Sequence, residues 1–339
     1  MSASHSVIVH RTLTADPLDR YRLRVGADVS VVVVNWNTRD DLLACAKSVF
    51  EQAGVDLELA VVDNGSSDGS VDALRSAYPA TRIIEAGENL GFAEGCNRGI
   101  EATQSTWVFL LNSDAVLEPN ALACLLDEGR KLGADVAALQ PALVFQNDPT
   151  RLNSTGIQLF KDGTARDRSF GQLASGRGAP AEVFGTTAGA ALYRRSALDD
   201  VKLPSGVLDR RFFMYLEDVD LAWRLQLAGY SARYVALATV RHRYNASSQR
   251  RGADFVGKRC RENRLPMLIK NASARMFARG LWRTTVDLLQ VVRRDGITGV
   301  TRVAGTCRAA LHERKLVREI TRVRRRDVEL RWVGGDVVE

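Results

Sequence analysis

The chain has 339 residues, 45% hydrophobic and 26% charged, with a formal charge of +7; that ordinary globular balance suits one large domain with an appendage, or two domains. No apolar run reaches the roughly 18 residues of a membrane-spanning helix, and Val7-Ile8-Val9, soon followed by Arg11 and Asp16, is too short for the core of a signal peptide, so the chain is expected to stay in the cytoplasm. Five cysteines (Cys45, Cys96, Cys124, Cys260, Cys307), odd in number, far apart and never Cys-x-x-Cys, argue for buried reduced thiols over disulfides or a zinc site.

Charge is unevenly distributed. Residues 241–339 hold 24 Lys+Arg and 10 Asp+Glu, a net +14, which leaves −7 for residues 1–240. An acidic body with a basic tail speaks to partners rather than to fold.

Residues 1–28 are mixed and polar without sustained period, and read as an N-terminal arm. Val29-Ser-Val-Val-Val-Val34 is a β-branched run suited to a strand buried on both faces. It ends at Asn35-Trp-Asn-Thr38, and a helical pattern follows with Leu42, Leu43, Ala46, Val49 and Phe50 on one side. Residues 57–62 make a second strand ending at Asp63-Asn-Gly-Ser-Ser-Asp-Gly69, Val71 and Leu74 open another helix, and 82–84 is a short third strand. Glycine-punctuated 87–99 leads into a helix, and Trp107-Val-Phe-Leu-Leu111 is a fourth buried strand ending at Asn112-Ser-Asp114. Pro119 starts a helix carrying Leu122, Leu125 and Leu126, before a strand over 136–139.

Strand and helix alternate at short spacing, which argues a parallel sheet with helices on both faces. Right-handed crossovers bring all strand C-termini to one edge, where ligands bind in open α/β sheets. Asn35, Asp63 and Asn112-Ser-Asp114 all fall there. Taken singly, each acid fits a loop-stabilising Asx turn as well as a ribose, base or metal contact.

Residues 140–183 lose periodicity and read as irregular structure over that edge. Residues 184–193 are a small-residue strand, placed either for close approach to its backbone or for tight sheet packing. In Arg211-Phe-Phe-Met-Tyr-Leu-Glu-Asp-Val-Asp-Leu-Ala-Trp-Arg224 an apolar run meets Glu217-Asp218 at the start of an amphipathic helix. The helix dipole favours acids there, and partial burial can tune one toward general-base work. A strand over 232–240 then leads to Arg241-His242-Arg243.

Four stretches together resemble the family 2 inverting glycosyltransferases of the GT-A fold. They are Val-Val-Asp-Asn-Gly-Ser-Ser-Asp (61–68), Asn-x-Gly-Phe-Ala-x-Gly-x-Asn-x-Gly (89–99), Leu-Leu-Asn-Ser-Asp (110–114) and Phe-Phe-Met-Tyr-Leu-Glu-Asp-Val-Asp-Leu (212–221), in matching order over about residues 29–245. Within the family, the last stretch looks most like bacterial rhamnosyltransferases acting on lipid-linked or polysaccharide acceptors in cell-envelope glycan synthesis.

The resemblance implies a GT-A type α/β domain over 29–250, with a mostly parallel Rossmann-like sheet and helices on both faces; after Gln249-Arg-Arg251 the pattern itself turns helical and basic, a C-terminal region over 251–339. It implies a nucleotide-diphosphate sugar donor, with dTDP-rhamnose the best match. Asp63 is similar to the acid that holds the base or ribose, and Asn35, Asn89, Gly91 and Asn112 fall among the donor-binding positions. Asp114 matches the last acid of the family's Asp-x-Asp, a ligand for Mg2+ or Mn2+, and His242 sits where relatives have a metal or diphosphate ligand. Asp218 matches the catalytic base. Glu217 and Arg224 are acceptor or diphosphate contacts or, equally, salt-bridge partners. One departure stands out: the first acid of Asp-x-Asp is Asn112, which carries no charge, so weaker metal affinity is expected. A second reading, from another class, is a catalytically silent nucleotide-sugar or polyanion binder using the same edge.

In the tail, Leu281, Trp282, Val286, Leu288, Leu289 and Val292 form an apolar face flanked by Arg279, Arg283, Arg293 and Arg294. Such helices suit either an anionic membrane surface or packing against the catalytic domain. No nucleic-acid-binding motif accompanies the charge, so nucleic acid is not an expected partner.

Overall fold

A computed structural model describes residues 27–243 and 254–333. Apart from Ala27 and Asp28, the expected N-terminal arm lies outside the described residues, as does Gln249-Arg-Arg251. Strands β1 (Val29–Asn35), β2 (Leu57–Asp63), β3 (Arg82–Glu85) and β4 (Trp107–Asn112) form a parallel array in the order β3-β2-β1-β4. The valines of β1 explain its central position. Val31 and Val33 join one core with Leu42 and Val49 of α1 (Arg39–Phe50), while Val32 joins the opposite core with Ala93, Cys96 and Ile100 of α3 (Phe92–Glu101). Successive side chains thus feed two apolar layers, and each full valine burial is worth about 1.5–3 kcal/mol. A short helix α2 (Ser70–Ala77) completes the β2–β3 crossover. A Cβ on Gly99 would come within 2.2 Å of Val32, so α3 lies on the sheet at a distance only glycine permits.

The second half of the sheet is mixed. After β5 (Ala115–Leu117), α4 (Ala121–Lys131) and β6 (Val136–Phe145), strand β11 (Ala190–Arg194) runs antiparallel between β4 and β6. Beyond β6, β12 (Ser231–His242) runs parallel to it and antiparallel to β5. Pro141 in β6 lacks a ladder donor, and β12 answers with an irregularity between Val235 and Thr239 that leaves Leu237 83% exposed.

The stretch 140–183, expected to be irregular, holds more strand than that. β6 runs on to Phe145, and β7 (Leu152–Ser154), the hairpin β8 (Ile157–Leu159) with β9 (Ala165–Asp167), and β10 (Ala181–Val183) follow. Three-residue strands are too short for alternation to show in sequence. The small-residue stretch, in turn, is strand only over β11, and 184–189 is a loop.

Helices α5 (Arg195–Asp200) and α6 (Glu217–Leu227) precede the tail, which forms α7 (Phe255–Asn271), α8 (Ala274–Arg279), α9 (Leu281–Ile320, broken at Gly296) and α10 (Arg325–Trp332). A third apolar cluster joins Trp223 and Leu227 of α6 to Met267, Leu268, Val317 and Val328. Beneath it, Lys270 Nζ lies 2.6 Å from Asp209, 3.1 Å from Asp220 and 3.3 Å from Glu313, all almost wholly buried. Arg211 bridges Asp209 and Glu313 as well. One face of the tail is therefore bound to the sheet domain. The other leaves Trp282, Leu289, Val292 and Ile297 exposed, with Arg279, Arg283 and Arg293 also at the surface. Among the described residues no helix is long and apolar enough to cross a membrane.

Candidate active site

Because β1, β2 and β4 are parallel and in register, Asn35 stands opposite Asp63, and Val34 opposite Asn112. Val34, Asn112 and Asn64, at or just past those strand ends, line a cavity of about 750 Å³. Asn89, Gly91, Asn112, Asp114, Glu217, Asp218 and His242 all line it.

On one wall, Asn64 Nδ2 donates to Gly91 O (3.0 Å) and Gly91 N donates to Asn89 Oδ1 (3.0 Å). Gly91 has φ of 87°, and a Cβ there would meet Phe213 O at 2.5 Å, so this turn needs glycine for both its conformation and its neighbour. Asp114 occupies the turn between β4 and β5. The β5–β12 pairing sets Ala115 against His242, which brings His242 Nε2 to 3.3 Å from Asp114 Oδ1. His242 Nδ1 lies 2.8 Å from Asn153 Oδ1, and Asn112 Nδ2 lies 3.1 Å from Nε2. An Nδ1–H donated to Asn153 leaves the lone pair on Nε2, where it accepts from Asn112 and faces Asp114. Among the described residues no cluster of three or more His, Cys, Asp or Glu is arranged to hold an ion. Asp114 and His242 form a two-ligand corner that an anionic ligand could complete.

On the acid side, Asp218 sits in the first turn of α6, where Val219 N donates to Oδ1 (2.8 Å) and Ala188 N to Oδ2 (3.3 Å). Burial pushes its carboxyl above the usual aspartate range, against the pull of those amides. Burial and then the charge of Asp218 push Glu217 well above its ordinary value, and its Oε2 has no hydrogen-bond partner among the described residues. Asp167 of β9 also lines the cavity, and burial, with the charge of Asp218 as a lesser cause, pushes it up to about 6. The two acid sites are near neighbours. Ala188 touches Asp218, while a Cβ on the next residue, Gly189, would lie 3.4 Å from Asn112 Nδ2 and 3.7 Å from His242.

The chain reaches Asp218 through strained backbone. Phe213, Tyr215 and Leu216 have φ of 63°, 71° and 67°, each costing on the order of 1–3 kcal/mol for a bulky side chain. Such strain persists only where surrounding contacts hold it, and it concentrates at functional sites.

Three residues expected at the site are held by protein partners outside the cavity lining. Asn35 and Asp63 do not line the cavity: Asn35 Nδ2 donates to Asp63 Oδ1 (2.8 Å), and Asp63 Oδ2 accepts from Ser66 N (2.9 Å). Register sets them side by side, so they brace the loops that carry Trp36 and Asn64 to the wall. Arg224 does not line the cavity either: its guanidinium is fully buried, pairs with Asp220 (3.0 Å) and donates to Val201 O (2.6 Å) and Val207 O. Its salt-bridge alternative is the one observed.

Residues that sequence reasoning did not single out also shape the wall. Asn64 lay inside a recognised motif and could have been found. Asn153 and Asp167 lie in the stretch without periodicity, and nothing local marks them. The expected close approach to the small-residue stretch is met at Ala188, where Asp218 reaches the backbone.

The sequence model described as Glycosyl transferase family 2 matches residues 30–202. The chain is 30% identical over 218 residues to the N-acetylglucosaminyl-diphospho-decaprenol L-rhamnosyltransferase of Mycobacterium tuberculosis, covering 58% of this chain and 69% of that relative. Among solved structures it resembles mannosyltransferase PcManGT from Pyrobaculum calidifontis in complex with GDP-Man and Mn2+, at a TM-score of 0.50 and 15% identity over 91% of this chain and 88% of that one. It also resembles GalNAc-T7 with UDP, GalNAc and Mn2+, at a TM-score of 0.52 and 12% identity over 64% of this chain and 43% of that one. At such identities these two likenesses establish the fold alone.

Proposed function

This chain belongs to glycosyl transferase family 2, and from that premise we propose that it moves rhamnose from dTDP-rhamnose to a hydroxyl of a lipid-linked or polysaccharide acceptor in cell-envelope glycan synthesis, with inversion. The observation that carries the reading is Asp114 and Asp218 on one cavity, joined by the backbone step Ala188–Gly189. The relative's name, a rhamnosyltransferase acting on a diphospho-decaprenol sugar, supports the choice of donor and acceptor.

In this reading Asp218 takes the proton from the acceptor hydroxyl as that oxygen attacks the anomeric carbon. The diphosphate leaves from the opposite face, so a single displacement inverts configuration. Burial holds Asp218 basic enough for the task, and the first turn of α6 favours its charged form afterwards. Asn64, Asn89 and Gly91 would cradle the nucleotide. Asp114 and His242 would hold Mg2+ or Mn2+, which when bound acts as a Lewis acid toward the departing diphosphate. The fit is chemical as well as spatial, since Asn153 turns the His242 lone pair toward Asp114. Both solved relatives carry Mn2+.

A lipid-linked acceptor calls for access to a bilayer. Exposed Trp282 (78%) and Ile297 (76%) beside surface arginines support docking of α9 on an anionic leaflet. The decisive experiment is a donor panel, dTDP-rhamnose against several UDP-sugars, with a polyprenyl-diphosphate sugar acceptor and Mn2+, reading transfer and the anomeric configuration of the product. Transfer from a UDP-sugar alone would replace the rhamnose assignment, and retained configuration would remove the single displacement. Co-sedimentation with anionic vesicles at low salt tests the docking, which fails if the protein stays in the supernatant.

A further inference from the structure

The tail does more than attach, because one of its side chains grips the segment that presents the catalytic acid. Asn263 of α7 is 4% exposed, and its Nδ2 lies 3.0 Å from Phe212 O, 3.0 Å from Met214 O and 2.9 Å from Tyr215 O. An amide nitrogen has two hydrogens, so three carbonyls share them, and all three belong to the strained approach to Asp218. Carbonyls in a segment that alternates handedness cannot form a regular ladder, and a buried donor from elsewhere must meet them.

The same segment is held from the donor side. Phe213 O accepts from Ala93 N (3.2 Å) at the start of α3, and Gly91 packs against the Phe213 ring. Arg259 of α7 covers that ring, its guanidinium 4.9 Å from the centroid. The loop is thus clamped between the donor turn and α7, and α7 is itself pinned by Lys270 on Asp209 and Asp220 and by Arg264 on Asp287 (2.8 Å).

We propose that Asn263 is a positioning residue for sugar transfer, holding residues 212–216 in the conformation that aims Asp218 into the cavity. The inference rests on Asp218 being the base. Asn263 does not line the cavity, so its loss acts on turnover rather than on donor binding.

The test uses the full chain. Asn263→Ala is expected to lower kcat on the order of 10²-fold, the cost of a small misplacement of a reacting group, while dTDP affinity in the presence of Mn2+ stays at the wild-type value. Limited trypsin digestion read by mass spectrometry supplies a measure independent of activity: cleavage after Arg210 or Arg211 should be faster in the variant. Asn263→Asp sharpens the result, because an ionised carboxylate repels the three carbonyls while its protonated form donates to one. Its activity relative to wild type should rise as pH falls. Wild-type kcat and unchanged cleavage in Asn263→Ala would overturn the proposal, as would loss of dTDP binding by the same factor as kcat. If Asn263→Ala does not accumulate folded, the same two criteria apply to Asn263→Asp. A wild-type enzyme that transfers no sugar would instead count against the proposed function, and the cleavage comparison would still judge the clamp.

Discussion

The cavity wall around Asp114 and the wall around Asp218 hold their acids by different means. Asp114 sits where two strand ends and a tight turn meet, beside the His242 ring and the neutral amides of Asn112 and Asn153, which give that wall its neutral partners. Asp218 sits at the end of strained backbone, next to a second carboxylate, on a helix whose underside carries a buried network of three cations and three anions: Lys270, Arg211 and Arg224 against Asp209, Asp220 and Glu313. A neutral wall can follow from sheet register. A wall that keeps acids partly desolvated must be anchored by groups far off in the chain. That is the work the basic tail does here, with charges that composition alone would assign to an external partner.

The contrast predicts that the largest catalytic loss comes from one atom on the anchored wall. Asp218→Asn should lower kcat by roughly 10²–10⁴, the usual contribution of a positioned base. Titration with dTDP and Mn2+ should give the wild-type affinity, because the proposed nucleotide contacts lie on the other wall. Turnover near wild type would remove Asp218 from the role and with it the distinction between the walls.

Next in size is the anchor itself. Lys270→Met leaves three buried carboxylates facing two guanidinium groups, and losing one partner of a buried charge network costs about 3–5 kcal/mol. Urea denaturation should register that loss. A variant as stable as wild type would mean that the apolar cluster around Trp223, rather than the ion network, fastens the tail.

A smaller effect is expected on the neutral wall. Asn153→Ala frees the His242 ring from its tautomer, and loss of such an outer partner typically weakens metal binding by roughly 10–100-fold. Mn2+ titration followed by electron paramagnetic resonance reads this directly, without any turnover. Unchanged Mn2+ affinity would show that the His242 orientation is set by Asn112 alone, or that His242 does not bind the ion.

How far each wall could be read from sequence follows from the same physics. The parallel array, its buried valines and the convergence of strand ends are consequences of local periodicity, and the positions of Asn112, Asp114 and Gly91 came with them. Asn35 and Asp63 show the limit: sequence puts them at the strand ends, but only pairing register reveals that they bond to each other and to Thr38 and Ser66. The anchored wall was legible only as the motif ending in Glu217-Asp218. Asp167 and Asn263 reach it from a segment with no period and from a helix more than forty residues downstream, Asn153 reaches the other wall from the same unperiodic segment, and such contacts have no local signature. Arg224 was left open between two readings. An arginine four residues after Asp220 on a helix can face a ligand or its own helix, and burial decided for the latter.

The finest separation of the two walls lies in the acid limb of the pH profile. Asp218 must be ionised to accept a proton, and burial raises its carboxyl above the ordinary aspartate value, so activity should climb with pH along a limb lying above that value. Two other carboxyls face the same space. Glu217 is pushed well above its ordinary value by burial and by Asp218, which favours its neutral form, and glutamine is the counterpart of that form. Asp167, pushed up to about 6, ionises within reach of Asp218, and the repulsion between them is mutual. Glu217→Gln should therefore leave the limb of kcat/KM where it is, whereas Asp167→Asn should move it to lower pH by a fraction of a unit, because one negative neighbour that discouraged ionisation of Asp218 is gone. A downward shift in Glu217→Gln would mean that Glu217 carries charge at working pH, and the anchored wall would then hold two ionised acids side by side rather than one base beside a neutral acid.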